Sequence, residues 1–126
     1  SSNGSGIDAY NSIINISDSI ASINALIYAS FISSVKSRIS IKNVTASASA
    51  DTCVVLSATD GTLSATDNTF SVTGKSGRIA ELFGVRANFT DNTFKAQLEN
   101  NGQKTYPVYK NEATVLTESG NMVYGF

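Results

Sequence analysis

The sequence predicts an α+β fold, in which a long N-terminal amphipathic helix packs on an antiparallel β-sheet arranged as a meander. Isoleucines recur at three- and four-residue intervals in the first forty residues. From Ile39 onward, apolar and polar residues alternate, and turns rich in Gly, Asn and Asp separate the alternating segments. A chain of 126 residues suits one domain. We expect a flexible leader at residues 1–6, a single domain at 7–126, a helix at 7–38 and a β region at 44–126.

The predicted helix rests on one apolar stripe. Residues at this spacing share one face of an α-helix. A helix over residues 7–38 would be roughly 45 Å long at 1.5 Å per residue. One small sheet does not cover the apolar face of a helix of that length, so we predict that part of this face is an assembly interface. The alternative is a helix packed on the domain's own sheet. The interface residues would be Ile13, Ile16, Ile20, Ile23, Ile27, Phe31 and Val35.

The β region shows the period of two that is typical of strands. Asn100-Asn101-Gly102 predicts a hairpin turn, and Pro107 places its strand at an edge or a bulge. Residues 76–83 are compatible with a short helix that ends at Gly84. The predicted strands cover residues 52–56, 69–73, 85–89, 93–99, 104–109, 113–117 and 122–126.

A seven-residue segment is nearly repeated at residues 57–63 and 64–70, and a similar segment, which we call the third echo, occurs at 88–94. Asp60-Gly61 and Asp67-Asn68 tolerate the left-handed backbone of tight turns. We interpret the echo as a turn module of an antiparallel meander. A spacing of seven residues is too short for the usual solenoid repeat, and the third copy is out of register with it.

Composition argues against several kinds of function. The net charge is −1 without a strongly basic stretch, which gives nucleic-acid binding little support. The chain has no histidine, which removes Ser-His and Cys-His catalysis. Asp60, Asp67 and Asp91 supply one carboxylate per turn, fewer than a calcium loop needs. Cys53 lies in an apolar run and is predicted to be a buried, unreactive thiol. We expect a non-enzymatic protein with no metal and no cofactor.

The uncharged surface indicates an extracellular or cell-surface setting. Only 15% of the residues are charged, and Ser, Thr and Asn fill the difference. Asn15, Asn43 and Asn88 each begin an Asn-X-Ser/Thr pattern and are candidate glycosylation acceptors. No run of 18 apolar residues is present, so membrane anchoring would need a segment outside this chain.

A helix at residues 7–38 followed by a sheet at 46–126 resembles the type IV pilin-like family. The resemblance implies a subunit of an extracellular filament that polymerises through its helix and presents its sheet outward. Its partners would be further copies or related structural subunits. The alternatives are a phage-type particle protein, or an adhesin or carbohydrate- and surface-binding module with ligand contacts near Asp60, Asp67 and Asp91. A small membrane-active protein is disfavoured because the helix lacks a basic polar face.

Overall fold

The computed structural model describes residues 3–99 and 105–126, which form thirteen strands and no helix. Every strand pair in this part of the chain is parallel. The strands are β1 (Asn3–Tyr10), β2 (Ile13–Ser17), β3 (Ile20–Asn24), β4 (Tyr28–Lys42), β5 (Thr45–Ser49), β6 (Thr52–Thr66), β7 (Thr69–Gly74), β8 (Ser76–Phe83), β9 (Arg86–Thr90), β10 (Thr93–Leu98), β11 (Val108–Lys110), β12 (Val115–Ser119) and β13 (Met122–Tyr124).

The chain winds as a β-solenoid. Asn3 pairs with Tyr28, Tyr28 with Thr52, and Thr52 with Ser76, so successive turns take 25, 24 and 24 residues. The described residues form five coils: coil 1 contains β1–β3, coil 2 β4–β5, coil 3 β6–β7, coil 4 β8–β10 and coil 5 β11–β13. Each residue therefore stacks on the residue one turn away, which creates ladders along the solenoid axis.

Three faces make up each coil. The first face contains β1, β8, β11 and the N-terminal parts of β4 and β6, and the second face contains β2, β9, β12 and the C-terminal parts of β4 and β6. Both belong to one eight-stranded sheet. The third face is a five-stranded sheet of β3, β5, β7, β10 and β13.

Two corners of the solenoid are built by residues with left-handed backbone, which turns the chain from one face to the next. Their φ angles lie between 51° and 71°. Asn, Asp and Gly accept this conformation more readily than other residues. The first corner, between the first and second faces, has Asn11, Lys36, Asp60 and Gly84; the second corner, between the second and third faces, has Asp18, Asn43, Asp67, Asp91 and Gly120.

The predicted helix over residues 7–38 is wrong. The predicted α+β fold class and the resemblance to the pilin-like family depend on that helix and are wrong for the same reason. These residues form β1, β2, β3 and most of β4. The strand β1 also includes residues 3–6, which the sequence assigned to a leader. The antiparallel meander is wrong too, because each strand pairs with its equivalent one coil away rather than across a hairpin.

The helix-like spacing has a physical explanation in the coil geometry. The second face spans seven residues from corner to corner, from Asn11 to Asp18 in coil 1, and two series of isoleucines with the same seven-residue interval run through this coil. Ile13 and Ile20 point outward and are 70% and 87% exposed, whereas Ile16 and Ile23 are half-buried and point inward. Interleaving the two seven-residue series gives intervals of three and four, which is the spacing of a helical stripe.

The echoed segments mark the solenoid repeat. Asp60 and Asp67 are the two corner residues of coil 3, so their seven-residue spacing spans one face. Asp67 and Asp91 occupy the same corner in adjacent coils, 24 residues apart. Left-handed backbone at all three residues is confirmed, but Asp60 lies within the continuous strand β6 rather than in a turn between strands, and the assignment of these residues to a meander is wrong.

Of the other local predictions, several strands are confirmed and the short helix is wrong. The predicted strands at 52–56 and 69–73 lie within β6 and β7, and those at 85–89 and 93–99 overlap β9 and β10. Residues 76–83 form the strand β8, not a helix. The predicted hairpin at Asn100-Asn101-Gly102 lies outside the described residues.

The interior of the solenoid is filled by ladders of apolar side chains. Phe70 and Phe94 stack in adjacent coils, with ring centroids 6.4 Å apart and planes 6° apart. Phe89 meets Phe94 edge-on at 6.1 Å. All three rings are essentially inaccessible to solvent, so they contribute strongly to the core.

Inside the second corner runs a ladder of asparagines. The amide oxygen of Asn92 accepts hydrogen bonds from the backbone N–H and the Nδ2 of Asn68, both at 3.0 Å. Its Nδ2 donates to the carbonyl of Ala65 and to Oδ1 of Asn121, also at 3.0 Å. Asn68 in turn accepts from the N–H of Val44 at 2.8 Å. The ladder thus satisfies backbone groups that the tight corner would otherwise leave buried and unpaired.

Candidate functional site

The outer surface of the second face is polar and carries only positive charge. Alternation along the strands buries Ile39, Ile41 and Leu63 and turns their neighbours outward. The outward residues are Ile13, Asn15 and Ser17 in β2, Arg38, Ser40 and Lys42 in β4, Thr62, Ser64 and Thr66 in β6, Arg86, Asn88 and Thr90 in β9, and Val115, Thr117 and Ser119 in β12.

Four cations form what we call the cationic strip: Lys36, Arg38, Lys42 and Arg86. Across residues 3–99 and 105–126, the ion pairs are Lys75–Asp51 and Arg78–Glu81, each at 3.8 Å. The strip therefore has no internal counter-charge within the described chain. Arg38 and Arg86 lie on either side of Thr62 in register, which sets their backbones about 10 Å apart.

The nearest acidic side chains sit at the corners. Asp18 Oδ1 accepts a hydrogen bond from Asn43 Nδ2 at 2.7 Å. Asp60 extends toward coil 4, where its Oδ1 would be 2.8 Å from a Cβ placed on Gly84. These carboxylates lie beside the second face rather than on it, so the face presents positive charge to solvent.

A groove of about 370 Å³ opens at the first corner, where three coils meet the second face. Gly61, with φ of +90°, lies in its wall, and a Cβ at this position would collide with the carbonyl oxygen of Ser37. No acidic residue lines the groove. The lining residues are Asn11, Ser12, Ile13, Lys36, Ser37, Arg38, Gly61 and Thr62.

A second cluster of polar and aromatic residues occupies the outer first face. The guanidinium of Arg78 lies 5.0 Å from the ring centroid of Tyr109 and 3.8 Å from the carboxylate of Glu81. Burial, followed by the negative charge of Glu81, raises the pKa of Tyr28 above its usual value. Since these charges are paired with one another, this cluster stabilises the sheet and leaves less capacity for a ligand.

The predicted assembly residues do not share one face. Ile13, Ile20 and Ile27 are exposed, Ile16 and Ile23 are half-buried, Phe31 is buried, and Val35 lies at the border of exposure. The single stripe that motivated the interface is therefore absent. Assembly through these side chains stays a prediction, with Ile13, Ile20 and Ile27 as its exposed members.

The predicted glycosylation acceptors all point outward. Asn15 and Asn88 occupy one outward ladder of the second face, and Asn43 is exposed at the second corner. Their modification stays a prediction.

The aspartates and the cysteine have structural surroundings. Asp60, Asp67 and Asp91 are corner residues, and no group of three or more potential His, Cys, Asp or Glu metal ligands occurs among the described residues. Cys53 is buried, as expected, and its Sγ donates to the carbonyls of Ala50 and Thr73. Burial raises the pKa of the Cys53 thiol, which disfavours the reactive thiolate.

The cationic strip and the groove are not evident from the local sequence. Lys36 and Arg38 are separated by one residue, which suggests nothing in isolation. Asn11 and Thr62 join them only because the 25- and 24-residue turns place them side by side. The signal that could have located them was the 24-residue recurrence of Thr-Asp-Asn-Thr-Phe at residues 66–70 and 90–94.

Comparison with protein-family models, with curated proteins and with solved structures finds no match to this chain. Within its described residues the structure contains no helical segment able to span a bilayer.

Proposed function

We propose that this chain is a non-enzymatic, extracellular surface-binding module whose second face binds acidic polysaccharides. The observation that carries the proposal is the cationic strip: Arg38, Lys42 and Arg86 on the second face and Lys36 at the adjoining first corner. These four cations have no ion pair among the described residues, and the surface around them is lined mostly by hydroxyl and amide groups. Carboxylate and sulfate groups accept charge-assisted hydrogen bonds from Arg and Lys, and the Ser, Thr and Asn side chains complement sugar hydroxyls.

An extended polymer suits this surface better than a compact ligand. Ladders repeat every coil, so equivalent donors recur at the spacing of parallel strands, about 4.8 Å. Arg38, Arg86 and the intervening Thr62 form one such row across three coils. A polymer lying near the first corner would meet Lys36, Arg38 and Arg86 while avoiding the acidic second corner, where Asp67 and Asp91 are exposed.

Two features favour polysaccharide over other partners. The outward residues of the second face include no aromatic side chain, whereas single-stranded nucleic acid is usually bound by stacking on aromatic rings. The groove offers no carboxylate, thiol or imidazole as a general base or nucleophile, which supports binding without chemistry.

Reversing the charge of the strip should abolish polymer binding. We expect the Arg38→Glu/Arg86→Glu double variant to bind heparin, used as the sulfated probe, at least about tenfold more weakly, because two charge-assisted contacts become repulsive. The measurement is the dissociation constant by biolayer interferometry at two salt concentrations. The single variant Arg38→Glu is measured as well, and Lys95→Glu is its matched control, since it makes the same charge change on the exposed third face. Equal loss in Arg38→Glu and Lys95→Glu would show a non-specific effect of net charge and contradict the proposal.

Self-association of this chain through coil 1 is a second candidate function, and a difference between coil 1 and coil 5 favours it. The inward ladder positions of coil 1 are apolar and include Ile14, Ile16 and Ile23, all only half-buried. Coil 5 instead places Lys110 over Leu82 and Glu118 over Phe89. Inward-pointing charge discourages edge-to-edge pairing, so we expect coil 1 rather than coil 5 to pair with a second copy of this chain.

Copying the charge of coil 5 into coil 1 tests this assembly. Ile16 and Glu118 occupy the same inward ladder, so Ile16→Glu introduces into coil 1 a residue that the fold accepts in coil 5. We expect the unmodified chain to dimerise with rising concentration and the variant to stay monomeric in sedimentation-velocity runs. Ser22→Glu, which adds the same charge on the outward third face, is the control and should dimerise normally. A wild-type chain that is monomeric throughout would exclude this candidate.

A further inference from the structure

The groove at the first corner brings together four polar side chains that have no partner in the described chain. They are Asn11 from coil 1, Lys36 and Arg38 from coil 2, and Thr62 from coil 3. None of these side chains takes part in a hydrogen bond or an ion pair with another described residue. Their convergence from three coils creates a concave patch of donors within the larger cationic face.

The backbone at Lys36 departs from the rule that governs the other corner residues. Lys36 has a φ of 52°, whereas its equivalents in the other coils are Asn11, Asp60 and Gly84. A lysine gains nothing from left-handed backbone, in contrast to Asn, Asp and Gly. Such local departures concentrate at functional sites, where a side chain is placed for binding at some cost in stability.

The groove has a rigid floor that leaves room for a ligand. Ser37 Oγ accepts from the N–H of Ser12 at 3.1 Å and donates to the carbonyl of Val35 at 3.0 Å, so its hydroxyl is held in place from two coils. Gly61 keeps the adjacent wall free of a side chain. The floor is therefore preorganised, which reduces the entropic cost of binding.

The electrostatics of the groove favour a negatively charged guest. Asp60, the acid nearest in register to Lys36, turns toward Gly84 in coil 4. Lys36 and Arg38 supply a point charge and a planar guanidinium, and a guanidinium can donate two parallel hydrogen bonds to one oxyanion. Asn11 and Thr62 add donors suited to a neighbouring sugar hydroxyl.

We propose that this groove is the specific subsite of the surface and binds the oxyanion of one acidic sugar, either the carboxylate of a uronic acid or a sulfate ester. The inference rests on the proposed polysaccharide binding and adds to it a fixed position and a ligand class. Arg38 holds the oxyanion through its planar fork, Lys36 neutralises it, and the rest of the second face makes weaker contacts with the continuing polymer.

Conservative substitutions separate the subsite from the general charge of the face. Arg38→Lys keeps the charge and removes the fork, and Arg86→Lys makes the same change on the same face outside the groove. We expect Arg38→Lys to weaken heparin binding about fivefold or more and Arg86→Lys less than about twofold, since bidentate geometry matters only in the groove. Both changes are exposed, and an unchanged amide spectrum confirms the fold.

Small probes identify the ligand class. Glucose 6-sulfate and glucuronate are titrated into the isotope-labelled chain, with glucose as the neutral control. We expect shifts of the Ser37, Gly61 and Thr62 amides with at least one acidic sugar and none with glucose. The acidic sugar that binds distinguishes sulfate from carboxylate recognition.

The failures of the two proposals are distinguishable. If the wild-type chain binds heparin and Arg38→Lys and Arg86→Lys weaken it equally, the groove is not a subsite, although the surface proposal stands. Shifts confined to residues outside the groove lead to the same conclusion. If heparin and both acidic sugars fail to bind, the subsite and the proposed function are both overturned.

Discussion

Replacing Asn92 with alanine should lower the free energy of unfolding by about 3–5 kcal/mol. The side chain serves two buried backbone groups, the N–H of Asn68 and the carbonyl of Ala65. Alanine reaches neither, and each orphaned group costs about 1–3 kcal/mol, with a small cavity in addition. Such a loss is a large share of the 5–15 kcal/mol typical of a folded domain. Urea denaturation followed by circular dichroism measures it.

The position of the damage is also predicted. A solenoid is stabilised mainly by contacts between neighbouring coils, so the loss should be local. In Asn92→Ala, hydrogen exchange should accelerate in coils 3 to 5 and change little in coil 1. Asn88→Ala is the matched control, because Asn88 is exposed on the same coil and its side chain bonds only Thr90 among the described residues. Equal destabilisation by the two variants would contradict a structural role for the ladder.

An aspartate at position 92 should make stability depend on pH. The carboxylate could still accept from Asn68 but would face the carbonyl of Ala65 and Oδ1 of Asn121 without a proton to donate. Burial favours the neutral acid, so folding should favour the protonated form. Asn92→Asp is therefore expected to be most stable at acidic pH and to lose stability as the pH rises toward neutrality.

Truncating Phe94 to alanine should lower the free energy of unfolding by about 3–5 kcal/mol. Phe94 lies between Phe70 and Phe89, with centroid distances of 6.4 Å and 6.1 Å, and is 1% exposed. Its removal opens a cavity that the backbone ladders on either side prevent from closing. The midpoint of urea unfolding measures the effect, and Phe94→Leu should recover part of the loss because it refills some of the volume.

Phe83→Ala provides the comparison for this prediction. Phe83 is 37% exposed on the outer first face, and its ring centroid lies 5.6 Å from that of Tyr109. Its truncation removes partly solvated surface and should cost about 1 kcal/mol or less. A Phe94→Ala variant no less stable than Phe83→Ala would show that the aromatic ladder is not a principal part of the core.

The N-terminal isoleucines show how a sequence pattern can be read correctly and assigned to the wrong structure. Intervals of three and four are shared by a helical stripe and by seven-residue faces that bend at each corner. The two differ at Asn11 and Asp18, which have φ of 51° and 53° and end the strands. Without knowledge of those backbone angles, the intervals favoured the helix.

The strand partners could not be predicted from neighbouring residues, for a different reason. A hairpin pairs residues that are close in sequence, whereas the solenoid pairs Tyr28 with Thr52 and Thr52 with Ser76. The period of 24 is present in the sequence as Thr-Asp-Asn-Thr-Phe at 66–70 and 90–94. The echo at residues 57–63 and 64–70 suggests a period of seven, and the copy at 88–94 does not fit that period.

The sequence by itself determined part of the local structure of this protein: left-handed backbone at Asp60, Asp67 and Asp91, strands at residues 52–56 and 69–73, and a buried Cys53. These follow from backbone preferences and burial, which act over a few residues. Only the tertiary structure decided the parallel stacking, the asparagine ladder and the groove that joins Asn11, Lys36, Arg38 and Thr62. Those features depend on side chains about 25 residues apart becoming neighbours, and the winding of whole coils sets that register.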